Sequence, residues 1–177
     1  MKKVFITRRL PAIAEERLKE KFDVYGSREN EPYPRKLLPE IVGQYDAVLS
    51  TVTEKFNKEI LKQKGKLTVI SNYAVGLDNI DVEFAKSLGI AIYNTKDVVT
   101  NSTADLTFSI FLSLIRKILL AQVFIRNDNW KTWDPELFLG EELNGKVFGI
   151  LGFGKIGQAV ARRAFGFDLN IIWVMTS

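Results

Sequence analysis

An α/β fold with a parallel sheet is predicted by three features of this sequence. Through the first ninety-odd residues, short runs of β-branched and other apolar residues alternate with stretches of helical periodicity. A long apolar helix follows, and a glycine-rich turn at residues 152–157 then joins a further apolar run to a further helical stretch. Such alternation is typical of parallel sheets that helices cover on both faces.

The composition narrows the chemistry that these residues can perform. The 177 residues include no Cys and no His. Disulfides, thiolate catalysis, imidazole proton transfer and metal sites with Cys or His ligands are therefore excluded, and we predict no metal site. Any acid–base chemistry within these residues would use Asp, Glu, Lys or Tyr.

Charge and hydropathy predict no nucleic-acid partner and no membrane segment. The net charge is only +4, from 25 Lys and Arg against 21 Asp and Glu, and the basic patches contain no interleaved aromatic residues. The most apolar stretch, residues 108–115, is much shorter than the roughly 20 residues that span a bilayer. The N-terminal residues do not resemble a signal peptide, so we expect a cytoplasmic protein.

Strands and helices alternate in the first part of the chain. Proline in the first turn favours the first helix, while Pro39 weakens the pattern of the second. Asn57 and Asp81 are suitable N-caps for the third and fourth helices, each of which ends before a glycine. The predicted strands are residues 3–7, 23–26, 45–50, 67–72 and 90–93, and the predicted helices are residues 11–22, 34–44, 57–64 and 81–88.

A different pattern begins near Val98. Residues 103–124 are predicted to form one long helix that is apolar on nearly every side, which indicates burial between domains, between subunits or both. The loop after it contains Trp130, Trp133 and Phe138, and large aromatic side chains in a loop usually insert into this or another domain. The remaining predicted elements are a strand at residues 146–151, a helix at 155–165 and a strand at 169–175.

The glycine-rich turn has the sequence G-F-G-K-I-G. Gly152 permits a tight turn, Gly154 leaves room for a pyrophosphate, and Gly157 allows the helix to pack closely on the strand. The backbone N–H groups of Lys155 and Ile156 would point at the anion from a helix N-terminus. This strand–turn–helix context predicts dinucleotide binding, and the alternative is a glycine turn without a ligand.

The residue that would distinguish NAD from NADP is not evident. In dinucleotide-binding folds an acidic residue stands at the end of the second strand, about 20 residues beyond the turn. Met175, Thr176 and Ser177 occupy that position here, and none of them is acidic or basic. The sequence therefore predicts NAD or NADP without deciding between them.

Three segments resemble the D-2-hydroxyacid dehydrogenase family, most closely its glyoxylate/hydroxypyruvate reductase branch. Residues 72–81 (NYAVGLDNID) are similar to the family's substrate-carboxylate loop. Residues 94–105 (NTKDVVTNSTAD) resemble its crossover into the nucleotide domain, and residues 138–146 (FLGEELNGK) resemble the segment before its glycine turn. The resemblance extends from residue 3 to about residue 174.

The resemblance implies two domains. Residues 1–98 would form a flavodoxin-like, parallel-sheet domain that binds the substrate. Residues 99–177 would form the first β-α-β unit of a truncated Rossmann domain that binds NAD(P). Within it, residues 103–145 would form the arm through which such enzymes dimerise, so we expect a homodimer. Because two strands do not make an independently stable sheet, we expect this second domain to need a partner.

Substrate contacts are implied at two loops of the first domain. The backbone amides of Val75 and Gly76 would hold the substrate carboxylate, because consecutive N–H groups in a glycine turn form an anion-binding nest. The alternative is a plain β-turn before the helix that Asp81 caps. Ser50 and Thr51, at the end of a strand, would line the same cleft, where open α/β sheets bind ligands.

Thr103 is the cofactor contact that the family implies outside the glycine turn. It would lie near the nicotinamide end of the cofactor, and it is also a suitable N-cap for the long helix. Asp105 is interpreted as a favourable acid in the first turn of that helix rather than as a catalyst.

The implied reaction is the reduction of a small 2-keto acid, such as glyoxylate or hydroxypyruvate, to the D-2-hydroxy acid by hydride transfer from NAD(P)H. The family takes its catalytic Arg, Glu and His from segments that these residues do not match, so we assign no catalytic residue. We therefore expect a little over half of the enzyme, inactive alone and a weak binder of nucleotide. The alternatives are a non-catalytic remnant that only dimerises or weakly binds nucleotide, and a binding module formed by residues 1–95.

Overall fold

The computed structural model describes residues 1–26 and 29–175. The chain divides into two compact units, Met1–Lys96 and Asp97–Ser177. In both units parallel strands alternate with helices, so the predicted α/β class is confirmed.

The first unit is built on a parallel five-stranded sheet. Its strands are β1 (Lys3–Ile6), β2 (Asp23–Gly26), β3 (Ala47–Ser50), β4 (Val69–Asn72) and β5 (Ala91–Asn94). Within the described residues their order is β2-β1-β3-β4-β5, and every neighbouring pair is parallel. The chain therefore changes direction across the sheet between β1 and β3, and the loops that follow these strands at their carboxyl ends meet at one edge.

The helices of the first unit alternate with its strands. They are α1 (Ala12–Lys19), α2 (Leu38–Gln44), α3 (Lys58–Leu61) and α4 (Val82–Ser87). Asn57 accepts a hydrogen bond from the Ile60 N–H at 3.1 Å, and Asp81 accepts one from the Phe84 N–H at 3.1 Å, so both N-caps are confirmed. Residues 34–44 were expected to be one helix, but they start as a 3₁₀ turn, and Pro39 is tolerated because it lies in the first turn of α2.

The core of the first unit lies between the sheet and its helices. Val48 of β3 and Ile70 of β4 pack with Val42 of α2 and Leu61 of α3, and each of the four is at most 1% exposed. Phe56 is completely buried beside them. Burial of this apolar surface is the main stabilising contribution, at about 25 cal/mol per Å².

The second unit joins a two-stranded sheet to three helices. Its elements are α5 (Thr100–Ile115), α6 (Ile118–Arg126), β6 (Val147–Leu151), α7 (Lys155–Phe165) and β7 (Asn170–Val174). The strands pair in parallel, from Val147 opposite Asn170 to Leu151 opposite Val174. Alanines that are 0% exposed allow α5 and α7 to pack closely, and Phe108 extends this core.

The predicted single helix over residues 103–124 is wrong. Two helices, α5 and α6, occupy this region and meet at a bend of 64°. The break occurs because Lys117, the residue before α6, has a left-handed backbone (φ 53°) that a continuous helix does not allow. Among the described residues no single helix is long and apolar enough to cross a membrane, although α5 and α6 would satisfy that test as a bent pair.

Much of the apolar surface of the second unit is exposed. Of α5 only Ala104 and Phe108 are buried, and α6 has no buried residue within the described chain. Leu114 is 76% exposed and Trp133 is also 76% exposed. The second unit therefore does not itself provide the all-round burial that the composition of this helical region predicts.

Candidate functional site

The loop that follows β4 contains the predicted carboxylate-binding residues. Val75 and Gly76 are both exposed, and their carbonyl oxygens are held from inside the unit. The Asn94 side-chain amide donates to the Val75 carbonyl at 2.7 Å, and the Asn72 amide donates to the Gly76 carbonyl at 3.0 Å. Within the described part of the chain, the N–H groups of Val75 and Gly76 donate to no protein acceptor. Two neighbouring donors are thus available to an anion at the carboxyl edge of the sheet.

Ser50 and Thr51 lie beside this loop, but their side chains are engaged within the protein. The Ser50 hydroxyl is completely buried and donates to Asn72 Oδ1 at 3.2 Å. The Thr51 hydroxyl donates to a Glu54 carboxylate oxygen at 3.0 Å. Their side chains therefore support the edge of the sheet, and Ser50 does not present its hydroxyl to solvent.

A side-chain amide joins the loops that follow β3 and β4. Asn79 Nδ2 lies 3.0 Å from the Thr51 carbonyl and 2.9 Å from the Glu54 carbonyl. The Asn79 carbonyl oxygen accepts from Asn72 Nδ2 at 3.0 Å, and Asn72 itself is completely buried. Because Asn72 also holds Gly76, one network of amides fixes the shape of both loops.

Glu54 is a buried carboxylate that sequence reasoning missed. It is 2% exposed and accepts from the hydroxyls of Thr7 and Thr53 at 2.9 and 2.7 Å, and from the Thr51 N–H at 2.9 Å. Burial raises the pKa of Glu54, but the hydrogen bonds from Thr51, Thr53 and Thr7 outweigh that effect and hold the pKa below its ordinary value. The Thr-x-x-Glu spacing of residues 51–54 is that of a capping box and could have indicated this contact.

The glycine-rich turn has the backbone geometry that a pyrophosphate requires. Gly152 has φ +93°, which favours glycine, and a Cβ on Gly157 would lie 2.2 Å from the Gly152 carbonyl oxygen. A Cβ on Gly154 would meet nothing within 4 Å, so its absence leaves open space above the start of α7. Lys155 and Ile156 lie in the first turn of α7, so their N–H groups have no partner within the helix. N–H groups at a helix N-terminus point out of the helix, here toward that space.

Two ion pairs stabilise the surroundings of this turn, and neither was predicted. Lys155 Nζ lies 2.5 Å from a carboxylate oxygen of Asp97, and both side chains are at least half exposed. Arg163 of α7 lies 2.5 Å from Asp105 of α5. The Lys155 side chain is paired with Asp97, so its backbone N–H is the group of this residue that remains for an anion.

The structure corrects the positions of Thr103 and Asp105 within their helix. Since α5 begins at Thr100 with Val99 as its N-cap, Thr103 is not the N-cap, and its N–H donates to the Val99 carbonyl at 2.9 Å. Asp105 likewise lies beyond the first turn, so its carboxylate acts through Arg163 rather than through the helix dipole.

An aromatic stack joins β7 to the glycine turn. Trp173 stacks on Phe153 of the glycine turn, with 4.6 Å between ring centroids and 13° between ring planes. Met175 is exposed, and Thr176 and Ser177 lie outside the described residues. No group of three or more Asp, Glu, His or Cys that could hold a metal ion occurs in residues 1–26 and 29–175.

The predicted dimerisation arm has an apolar hollow on its surface. Phe124 of α6 packs edge-to-face on Phe138 with 5.3 Å between ring centroids. Beside them Ile125, Trp130 and Trp133 enclose a hollow of about 230 Å³. The aromatic loop thus folds against α6 while Trp133 remains exposed.

Comparison with known proteins gives concordant matches over nearly the whole chain. The family model described as D-isomer specific 2-hydroxyacid dehydrogenase, catalytic domain, matches residues 4–171. A glyoxylate reductase of Pyrococcus furiosus is 44% identical over 175 residues, which are 97% of this chain and 52% of that protein. The chain therefore spans about half the length of the curated relatives that it matches.

Solved structures show the same similarity. The TT0316 protein of Thermus thermophilus superimposes with a TM-score of 0.89 at 34% identity, covering 99% of this chain and 56% of that one. A putative D-isomer specific, NAD-binding 2-hydroxyacid dehydrogenase of a Polaromonas species gives a TM-score of 0.88 at 30% identity and covers 100% of this chain and 57% of that one.

Proposed function

We propose that this chain is part of an oxidoreductase that reduces a small 2-keto acid to the D-2-hydroxy acid, because it belongs to the D-isomer specific 2-hydroxyacid dehydrogenase family. The outward N–H pair of Val75 and Gly76 is the observation that supports this proposal best. Glyoxylate is the proposed substrate, since several relatives are named glyoxylate reductases, and hydroxypyruvate is a second candidate of the same chemical class.

The substrate carboxylate is proposed to bind to the N–H groups of Val75 and Gly76. Both residues are exposed and their N–H groups lack an acceptor among the described residues, so binding requires no rearrangement of existing hydrogen bonds. Ser50 and Thr51 support this site from behind, through Asn72 and Glu54 respectively.

NAD or NADP is the proposed cofactor of the glycine turn. The turn fits a pyrophosphate, because the space that a Cβ of Gly154 would fill is open and the first N–H groups of α7 face it. When bound, the reduced nicotinamide supplies the hydride that the reaction needs. Thr103 is proposed to contact the nicotinamide end, and residues 1–98 and 99–177 are proposed to be the substrate and nucleotide domains.

These 177 residues are proposed not to catalyse turnover by themselves. Reduction of a keto group needs a cation to polarise it and an acid to protonate the forming alkoxide. The family uses Arg, Glu and His for these roles, and the chain has no His. Incubation of the purified chain with glyoxylate and NADH or NADPH should give no enzymatic turnover, and a rate of roughly 1 s⁻¹ or more would contradict this proposal.

Nucleotide binding is testable independently of turnover. Titration with NADH should quench Trp fluorescence weakly, because Trp173 stacks on the glycine turn. The Gly154→Ala variant should fold normally but lose this response, since its Cβ meets no protein atom within 4 Å but fills the space left for the pyrophosphate. Gly149→Ala is the matched control, because its Cβ would make only an ordinary contact, 3.9 Å from Ile172. Equal NADH responses in both variants would rule out the turn as the phosphate site.

A second candidate function is non-catalytic association through residues 103–145. It is favoured by the exposure of the apolar side chains of α6 and of Trp133, because exposed apolar patches mark interaction surfaces. Light scattering after size exclusion should show a homodimer, and Leu120→Lys on α6 should shift it to monomer. A native chain that elutes as a clean monomer would contradict this candidate.

A further inference from the structure

The two peptide groups that present the proposed carboxylate donors are held from the end of β5. The Ala74 carbonyl accepts from the Thr95 N–H at 2.9 Å. The Val75 carbonyl accepts from the side-chain amide of Asn94 at 2.7 Å. Asn94 is the last residue of β5, and it is paired in register with Asn72 at the end of β4. Residues at the end of β5 thus donate hydrogen bonds to two successive carbonyl groups of the loop.

Because a peptide group is planar, a hydrogen bond that fixes its carbonyl also fixes the direction of its N–H. The Val75 carbonyl and the Gly76 N–H belong to one peptide group, and the Ala74 carbonyl and the Val75 N–H belong to the preceding one. No cis peptide occurs among the described residues, so within each group the carbonyl and the N–H point in opposite directions. A carbonyl held toward β5 therefore requires that the N–H of the same group points away from β5.

We propose that Asn94 is a positioning residue of the carboxylate site, and that it acts by fixing the peptide group between Val75 and Gly76 so that the Gly76 N–H faces the substrate. Within the described residues, the Asn94 side chain contacts this loop through its hydrogen bond to the Val75 carbonyl. The Val75 N–H is fixed separately, by the backbone of Thr95, and does not depend on a side chain. This inference rests on the proposed function for its ligand, while the orientation itself is testable without one.

The orientation is tested by measuring the residual N–H dipolar coupling of Gly76 in the ¹⁵N-labelled, partially aligned chain, because this coupling reports the direction of the N–H bond. In Asn94→Ala the Gly76 coupling should change, because its peptide group loses the hydrogen bond that holds it. The couplings in β4, in β5 and at Val75 should stay as in the native chain. An unchanged Gly76 coupling would overturn the proposal, and this readout does not depend on whether a substrate binds.

The functional consequence is tested by titrating glyoxylate while following the amide resonances of Val75 and Gly76, with sodium chloride as the ionic-strength control. Asn94→Ala should bind glyoxylate roughly fivefold more weakly, as expected for loss of one hydrogen bond. Asn94→Asp should bind still more weakly, because a carboxylate would repel both the Val75 carbonyl and the ligand. Asn170→Ala is the matched control, since Asn170 likewise donates to a loop carbonyl, that of Gly145, at 2.9 Å in the second unit.

The outcomes separate the two proposals. A native response at both amides that weakens only in the Asn94 variants supports the positioning role. Equal affinity in the native chain and in Asn94→Ala would overturn that role and leave the carboxylate site standing. No glyoxylate response at either amide of the native chain would overturn the carboxylate site, while the Gly76 dipolar coupling would still decide whether Asn94 orients that N–H.

Discussion

The two loops that we propose to bind anions are built in different ways. In residues 73–79 the carbonyls of Ala74, Val75 and Gly76 each accept a hydrogen bond, and the loop is anchored on a buried amide network. The glycine turn instead depends on backbone conformation and on a helix N-terminus, and it lies next to exposed apolar residues such as Leu151, which is 81% exposed.

Side chains therefore hold the loop after β4 in its shape, whereas the glycine turn depends on its backbone conformation. The loop after β4 belongs to a unit with a closed core, so buried polar contacts can fix it at little cost. The sheet of the second unit has one face on α5 and α7, and Val147, Leu151 and Val174 on its other face are exposed. We therefore expect substitutions to damage the first unit more than the second.

The largest difference should appear on truncating a phenylalanine in each unit. Phe56→Ala should lower the free energy of unfolding of the first unit by about 3–5 kcal/mol, because Phe56 is completely buried in its core. Phe165→Ala in the second unit should change stability by no more than about 0.5 kcal/mol, because Phe165 is 68% exposed. Urea denaturation followed by circular dichroism measures both, and equal losses would contradict the contrast between the units.

A smaller effect is expected at the buried carboxylate. Glu54→Gln should cost about 2 kcal/mol at pH 7, since an amide cannot accept all the donors that surround the carboxylate. The folded-state pKa of Glu54 is below its ordinary value, so its stabilising contribution is complete above the unfolded pKa. It is lost as the pH falls through the lower, folded-state pKa.

The measurement for Glu54 is the difference in unfolding free energy between the native chain and Glu54→Gln as a function of pH. That difference should be constant near neutral pH and should shrink only in the acid range. A difference that grew on acidification would have the wrong sign for a lowered pKa and would contradict the role of the hydrogen bonds from Thr7, Thr51 and Thr53.

Local sequence patterns predicted most of the helices and strands, but they missed the break between α5 and α6. The caps at Asn57 and Asp81 depend on three-residue hydrogen bonds and were predicted correctly, and the family was identified from motifs that are contiguous in sequence. The break at Lys117 was missed because it depends on the backbone conformation of that one residue, while the apolar pattern continues through the helices on both sides.

The supporting contacts of the site were missed for a related reason. Thr7 contacts Glu54 across 47 positions of sequence, and Asn94 contacts Val75 across 19. Such partners are set by strand order and register, which composition and periodicity do not specify. Sequence could therefore indicate which loops are candidates for anion binding, whereas the residues that hold those loops required the structure.

The smallest effect should occur at the ion pair beside the glycine turn. Lys155 and Asp97 are 63% and 50% exposed, so water and salt screen their attraction despite the short distance. Asp97→Asn should therefore cost less than about 1 kcal/mol, and the cost should fall further in about 1 M salt. Denaturation of both chains at low and high salt checks this. Since the proposed anion donor at this position is the backbone N–H, the same variant should leave the fold of the turn intact. A large, salt-insensitive loss would mean that side-chain contacts organise the glycine turn as they do the loop after β4.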